Sequence, residues 1–370
     1  MQIDALYIDQ KIADDEYTRF ILRRLKIPAT IVHDASSVYR IFSNLPDSVS
    51  YGKKTLYLTY NKGEFIRNCP GTRNYRCCNY KILHIGTYCN MDCSYCILQT
   101  YFHPPLLQFF VNFQDLRRQV SALFSTKAVF RIGTGEYTDS LIWEPWTDFS
   151  KRIVPLFSEQ SYAVLELKTK TAFIQNLARL RHNRKTIVAW SLNTEKVISQ
   201  QEKNTASLDS RLQAAKQCES WGYPLAFHFD PLIIYEGCEA DYLAIVERLF
   251  SAVSGENVAW VSLGAFRYLP SLKTIIQRRF PESDIVYGEF ISGLDDKMRY
   301  FKPLRIDLFR KIVSGIRDIN PSVTIYLCME SDEVWQKTLG FVPRERGGLA
   351  AMLDESAVSV CGLTRGNQPR

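Results

Sequence analysis

Long apolar runs are missing from this 370-residue chain: none approaches the roughly 18 to 20 residues that a membrane-crossing helix requires. Between Met1 and Tyr7 there is neither a basic stretch ahead of an apolar core nor a small-residue cleavage site. A cytoplasmic protein without a membrane partner is therefore expected. Solenoid-type repeats and low-complexity tracts are absent as well. Cysteine is sparse at ten residues, and three of them crowd one short loop. That argues against a disulfide scaffold and for metal or redox chemistry in a reducing compartment. Charge of one sign is in short supply too. The 46 basic and 39 acidic residues leave a net +7, which favours an acidic partner without demanding one. Apolar residues, by contrast, are plentiful: 46% are hydrophobic and 23% charged, the balance of a folded soluble chain. The length is ample for one α/β barrel or two ordinary domains.

From about residue 80 to 265, short β-rich runs alternate with helical stretches. The spacing predicts strands at Lys81–Gly86, Lys127–Ile132, Tyr162–Leu167, Thr186–Ser191, Leu225–Phe229 and Val258–Leu263. Helices are predicted at Leu116–Phe124, Ala172–Leu180 and Leu208–Trp221, where apolar residues recur every three or four positions. Six apolar strands alternating with helices imply an α/β fold with parallel pairing, a barrel or part-barrel. Its working loops would follow the strands' C-terminal ends. Residues 1–75 read as a small α/β region: a strand at Leu6–Ile8, a helix opening near Asp14–Asp15, a strand at Ala29–Val32. The barrel would occupy 76–270 and a C-terminal region 271–343. That region holds a hairpin over Asp284–Tyr300, a helix at Ile306–Ile319, a strand at Val323–Leu327 and a helix at Asp332–Leu339. Residues 344–370 are weakly patterned and read as a tail.

The sharpest feature follows the first barrel strand: Cys89, Cys93 and Cys96, separated by three and then two residues in one loop. Three thiolates so spaced can each hold one iron of a 4Fe-4S cubane, leaving the fourth iron free for a small molecule. A structural zinc site would want a fourth Cys or His nearby. Only His84 is close, and it sits within a predicted strand.

This spacing resembles the signature of the radical S-adenosylmethionine superfamily, whose fold is a partial (β/α)6 barrel. The resemblance implies that the free iron binds the amino and carboxylate groups of S-adenosyl-L-methionine. It also implies that the reduced cluster yields a 5′-deoxyadenosyl radical from it. After the second strand, Gly133, Thr134, Gly135 and Glu136 resemble the superfamily's Gly-Gly-Glu motif, with Thr138 in the same loop. Lys170 after the third strand is a cation for the methionine carboxylate. Ser191 and Asn193 after the fourth are suited to hydrogen-bonding hydroxyls and carboxylate.

Over roughly residues 5 to 330 the chain is similar to the spore photoproduct lyase family. The stretches that carry this are Cys93 to Thr100 (Cys-Ser-Tyr-Cys-Ile-Leu-Gln-Thr), Lys170, Ser191 to Asn193, Ser207 to Ala215, and Ala265 to Tyr268. The resemblance implies light-independent DNA repair by abstraction of the C6 hydrogen of a methylene-linked thymine dimer, scission of the bridge, and return of a hydrogen. Two departures fall on the mechanism. The family's hydrogen-returning cysteine follows its second strand, where this chain has Gly135 to Asp139 and no cysteine between Cys96 and Cys218. The family's tyrosine after the third cluster cysteine is here Ile97. Three readings stay open: Tyr95 or Tyr137 donates, Cys328 or Cys238 reaches the site, or the substrate needs no such donor. Cys69, Cys77 and Cys78, just ahead of the first barrel strand, read as plain thiols, a second metal site or a redox relay.

Six basic residues between Lys297 and Lys311 face one acid, Asp307, and aromatic residues interleave with them. Lys297, Arg299, Tyr300 and Lys302 are accordingly candidate contacts to damaged duplex DNA, with a solvated hairpin face as the plainer reading. His228 and Arg267 point into the barrel mouth if the strand register holds. The resemblance makes the hairpin the element that probes the duplex. An electron donor such as a flavodoxin or ferredoxin is implied, and a monomer is expected. Two rivals remain: a radical enzyme acting on another substrate (modified nucleic acid or peptide), and a catalytically silent lesion-binding protein.

Overall fold

The computed structural model describes residues 2–72 and 74–366. Eight strands lie side by side in chain order and form a curled open sheet. They are β1 (Ile66–Asn68), β2 (Lys81–Leu83), β3 (Phe130–Gly133), β4 (Ala163–Thr169), β5 (Thr186–Ser191), β6 (Leu225–Leu232), β7 (Val258–Ala265) and β8 (Ile325–Leu327). β1 runs antiparallel to β2, and every later neighbour pairs in parallel. Every residue of β5 and β7 is buried, as strands covered on both faces must be. The six expected strands are therefore joined by a seventh parallel one, β8, which continues the barrel past residue 270.

The first expected strand is broken. Lys81–Leu83 stays in the curled sheet, while Gly86–Thr87 crosses over and pairs with Leu107–Phe110. Gly86 permits the crossing, because a Cβ there would lie 2.4 Å from the Gln108 carbonyl oxygen. The crossing completes a second sheet of five strands, in the order Ala29–Val32, Ala5–Asp9, Thr55–Thr59, Leu107–Phe110, Gly86–Thr87. One continuous apolar core spans both sheets. The helix expected near Asp14–Asp15 opens at Glu16, with the Asp15 carboxylate accepting from the Tyr17 and Thr18 amides.

Two expectations are corrected. Ala172–Leu180 is not a helix; it holds only a 3-10 turn at Gln175–Leu177. The Thr169 and Thr171 hydroxyls bind the local amides of Thr171 and Phe173, and Trp190 Nε1 donates to the Thr171 carbonyl, so the backbone has non-helical partners. Nor is the C-terminal stretch a tail: Leu349–Cys361 is a helix under the curled sheet. Leu349, Leu353, Ser356, Ala357 and Cys361 form its buried face, Ser356 Oγ donates to the Ala259 carbonyl, and Asp354 pairs with the buried Arg131 at 2.7 Å.

The hairpin forms from Phe290–Ser292 and Met298–Tyr300, with Arg267–Tyr268 as a third strand. The helix behind it, Lys302–Ile319, is four residues longer at its start than expected. No helix is long and apolar enough to cross a membrane among the described residues.

Behind the hairpin Arg305 is buried against Glu330, at 2.9 and 3.1 Å, and also donates to the Tyr300 carbonyl. Removing one partner of a buried pair strands the other charge, so Glu330→Ala is expected to cost about 3–5 kcal/mol. Glu333→Ala, which breaks only the exposed pairs with Lys302 and Lys337, should leave the urea midpoint nearly where it was. Equilibrium denaturation of both variants checks the contrast.

Candidate active site in the hollow of the curled sheet

The three-cysteine loop is fastened from several sides. Asp92–Cys93 pairs antiparallel with Glu202–Lys203. The Ser94 amide donates to the Gln201 carbonyl at 2.8 Å, and Gln99 Nε2 donates to the Ser94 carbonyl at 3.0 Å. Lys53 Nζ donates to the carbonyls of Cys89 and Met91, and Asp92 takes charge from Lys53 at 3.4 Å and Arg279 at 3.1 Å. Cys89 and Cys93 are buried, Cys96 is half-buried, and all three line one hollow of about 310 Å³.

No three His, Cys, Asp or Glu side chains among the described residues converge tightly enough for a single metal ion. A cubane cluster asks for something different, since each thiolate binds its own iron. Burial pushes the Cys89 thiol up to about 12 and raises Cys93 as well, so thiolates there call for the positive charge a metal brings. Both polar atoms of the Asn90 amide, inside the loop, are buried without a partner, as are the hydroxyls of Thr87 and Tyr88. The donor set and these unanswered groups fit a cluster.

The next strand ends close in on the same hollow. After β3, Gly135 lies flat against Lys168: a Cβ there would sit 2.8 Å from the lysine's own Cβ. Glu136 pairs with Lys168, and Thr138 lines the hollow beside Tyr137. The loop is organised by Asp139, which sequence reasoning did not assign. Its carboxylate accepts from the Lys170 amide, the Leu141 amide and the Thr169 hydroxyl, at 2.8, 2.9 and 2.8 Å. Burial pushes its carboxyl up against those three bonds. Lys170, after β4, reaches to 3.8 Å from Glu202 and stands 5.8 Å over the Tyr95 ring. Ser191, ending β5, lines the hollow. Asn193 does not. Its amide donates to the Pro231 carbonyl and its oxygen accepts from Tyr242 OH and the Thr194 amide, so it shapes the loop instead of facing a ligand.

Tyr95 and Tyr137 both line the hollow. The Tyr95 hydroxyl is bound to the buried Glu202, whose other oxygen takes Arg211 at 2.6 Å. Arg211 also donates to the Ser191 carbonyl at 2.8 Å. These two residues were missed, although Arg211 stands in the Ser207 to Ala215 stretch that carried the family resemblance. Tyr137 is held edge-on to His84, with ring centres 5.0 Å apart.

Deeper in, a second space of about 140 Å³ continues the first: Cys69, Glu136, Lys168, Ser191, Asp230 and Arg267 line both. His228 is here, fixed between Ser262 Oγ at 2.7 Å and Glu166 at 2.8 Å. Arg267 grips Asp230 through two bonds of 3.2 Å and faces the main hollow, as does Lys297. The rest of the basic run is otherwise engaged. Arg299 is buried, paired with Asp295 at 2.7 Å and stacked over Tyr75. Tyr300 is buried against Phe290, its oxygen accepting from the Ile234 amide. Lys302 is exposed but paired with Glu333. As they stand, these three are structural and are not free contacts for a nucleic acid. Beside the polar Glu289, Ser292 and Asp296, the hairpin region exposes four large apolar side chains: Ile291, Leu294, Phe301 and Leu304.

The family model described as spore photoproduct lyase matches residues 71–293. A spore photoproduct lyase of Geobacillus sp. (strain Y412MC61) is 27% identical over 223 residues, 59% of this chain and 63% of that protein. The chain thus spans under two thirds of that relative's length. The Clostridium acetobutylicum spore photoproduct lyase is 25% identical over 256 residues, 68% of this chain and 71% of the relative. In three dimensions, a cysteine-to-alanine variant of spore photoproduct lyase with dinucleoside spore photoproduct superimposes with a TM-score of 0.78 at 21% identity, covering 88% of this chain and 98% of that one. A double variant with bound AdoMet and the same dinucleoside gives 0.75 at 20% identity and the same coverage.

The inner ion pairs set an acid limit on stability. Burial pushes the Glu166 carboxyl up, but the charge and hydrogen bond of His228, with Lys168 behind, outweigh it and hold Glu166 at about 2. An unfolded chain takes up this proton near the ordinary glutamate value, about 4.3. Between there and about 2 the unfolded state binds more protons than the native one, so stability falls as pH drops through that window. Glu166→Gln is expected to flatten that acid limb, read from denaturation midpoints measured between pH 5 and 2.5.

Proposed function

The chain belongs to the spore photoproduct lyase family, and on that premise we propose that it is a radical S-adenosylmethionine lyase that reverses a methylene-linked thymine dimer in DNA. One observation carries this reading: three thiols of one loop open onto a hollow walled by Gly135, Glu136, Lys170 and Ser191. Cys89, Cys93 and Cys96 would hold the 4Fe-4S cluster, and its free iron would take S-adenosylmethionine. When bound, that pair supplies the radical that takes the C6 hydrogen of the lesion.

The chain's own residues do the rest. The Asp139-braced loop orients Gly135, Glu136 and Thr138 toward the methionine amino group, while Lys170 offers its carboxylate a cation. Arg267 and Lys297, on the far wall, meet the lesion. Lys297 is nearly enclosed, 3.5 Å from Asp295, and burial lowers its ammonium, so an anionic group arriving there would share with Asp295 a cation already stripped of water. The exposed Ile291, Leu294 and Phe301 suit a wedge that unstacks a damaged step and helps extrude the lesion, which would then seal the hollow from water. The setting is cytoplasmic, with a flavodoxin- or ferredoxin-type electron donor.

Anaerobic reconstitution tests the reading. The reduced protein is expected to transfer deuterium from the C6 position of a dimer dinucleotide into 5′-deoxyadenosine and to restore thymine. Cys93→Ala should lose the cluster's visible absorbance together with both products. Unlabelled 5′-deoxyadenosine without repair would assign the radical chemistry to another substrate, and no 5′-deoxyadenosine at all would mean a catalytically silent binder.

A further inference from the structure

We infer that Cys69 returns the hydrogen atom to the repaired base, in place of the cysteine missing after β3; the inference rests on the lyase reading above. Among the described residues, four cysteines line the main hollow: the three of the cluster loop and Cys69. The three have their sulfurs committed to iron under that reading, so Cys69 is the remaining thiol there. It directly follows β1, with its amide donating to the Tyr80 carbonyl at 3.0 Å, and it faces the stretch that includes Glu136 and Tyr137.

The rival donors are placed less well. Cys238 opens the helix Cys238–Ala252 and lines neither space. Cys328 lines only the inner space, where Arg267 donates to its sulfur at 3.5 Å. The Tyr95 hydroxyl is held by Glu202. Tyr137 faces the hollow but is packed edge-on between His84 and Phe102.

The chemical state of Cys69 also suits. A thiol gives up a hydrogen atom only while it is protonated. Burial, with the Glu136 carboxylate nearby, pushes Cys69 up, so it keeps its S–H at neutral pH. Its exposed neighbour Cys77 behaves oppositely: a hydrogen bond from Cys78 draws it down to about 6, leaving mostly thiolate. In the proposed step the Cys69 S–H bond breaks homolytically and a C–H bond forms on the methyl carbon radical left by bridge scission. Thymine is restored, and the odd electron stays on sulfur as a thiyl radical. That radical takes one hydrogen atom back from the 5′ carbon of 5′-deoxyadenosine and restores the S–H bond; the adenosyl radical left behind would rejoin the methionine sulfur and return one electron to the oxidised cluster, so no outside oxidant or reductant is consumed.

The test compares wild type with Cys69→Ser and Cys77→Ser under single turnover in D2O, with the dimer dinucleotide. Wild type and Cys77→Ser should place one solvent deuterium in the methyl group of the restored thymine. Cys69→Ser should still form 5′-deoxyadenosine but lose that deuterium and divert the product radical to by-products. A second readout needs no turnover. In cluster-free protein the dinucleotide should slow alkylation of Cys69 by iodoacetamide while Cys77 reacts at its free rate. Unchanged methyl deuteration in Cys69→Ser, or alkylation of Cys69 indifferent to the dinucleotide, would overturn the inference and leave the lyase reading intact. If wild type yields neither deoxyadenosine nor thymine, the lyase reading fails and this inference falls with it.

Discussion

A curled sheet with a hollow centre has to place charge inside itself, and in this protein each charge it encloses is answered at close range. Lys168 stands between Glu136 and Glu166. Burial alone would lower its ammonium; the two carboxylates reverse that and hold it above its ordinary value. Arg267 is clamped to Asp230, His228 to Glu166, and Glu202 is shared among Arg211, Lys170 and Tyr95. A lone charge at such depth would cost several kcal/mol, so the pairs must form together with the sheet that surrounds them. They also fix the height of the strand ends, because Lys168, Lys170, Asp230 and Arg267 all sit where strands finish. The loops that make the site inherit their positions from this lattice.

The same accounting alters the view of the hairpin. A run of six basic residues reads in sequence as a phosphate-binding surface, yet Arg299 and Arg305 are buried on Asp295 and Glu330, and Lys302 and Lys311 are paired on the surface. Their charge stiffens the hairpin and fixes it to the helix behind. The tip is further pinned by Asn74 Nδ2 and Tyr75 OH, which bind the Leu294 backbone. Under the proposed function, a hairpin held this firmly, with Leu294 and Ile291 exposed on it, suits a wedge between bases more than a grip on phosphates. Binding that leans on such a wedge and on Lys297 and Arg267 would depend on salt less steeply than six free cations imply.

The legible parts of the fold were those where one local period dominates. Thr186–Ser191 and Val258–Leu263 are continuous apolar runs and became strands, and Leu208–Trp221 became a helix with almost those limits. Ala172–Leu180 has helical spacing, but Thr169, Thr171 and Trp190 supply tertiary and side-chain bonds that the local pattern does not show. The C-terminal helix hid for the opposite reason. Its buried face is spaced correctly, yet Ser356 and Ala357 stand where larger apolar residues would have announced it, and two glycines precede it. At the site, the cysteine loop, Glu136, Lys170 and Ser191 were found because each follows a strand. Asp139, Glu166 and Glu202 were not, since a carboxylate that braces a loop or balances a buried cation looks in sequence like any surface acid. Asn193 was misplaced because a position after a strand does not say which way the side chain turns.

That last limit explains how a hydrogen donor can change its place along the chain. The chemistry constrains where a thiol stands in the hollow, not which strand carries it. β1 and β3 flank β2 in the curled sheet, but β1 runs antiparallel to both, so the residue after it sits at the N-terminal end of β2, against Tyr80. Cys69 nonetheless lines the wall of the hollow that the stretch after β3 also lines. Loss of the thiol after β3 is then tolerable in a chain where Cys69, after β1, already lines that wall. Gly133 belongs to the same wall: a Cβ on it would collide with the Tyr80 hydroxyl, and Tyr80 carries the carbonyl that holds the Cys69 amide. The position of Cys69 is thus tied to β3 through one tyrosine, and the geometry persists although the residue that reads it out has moved.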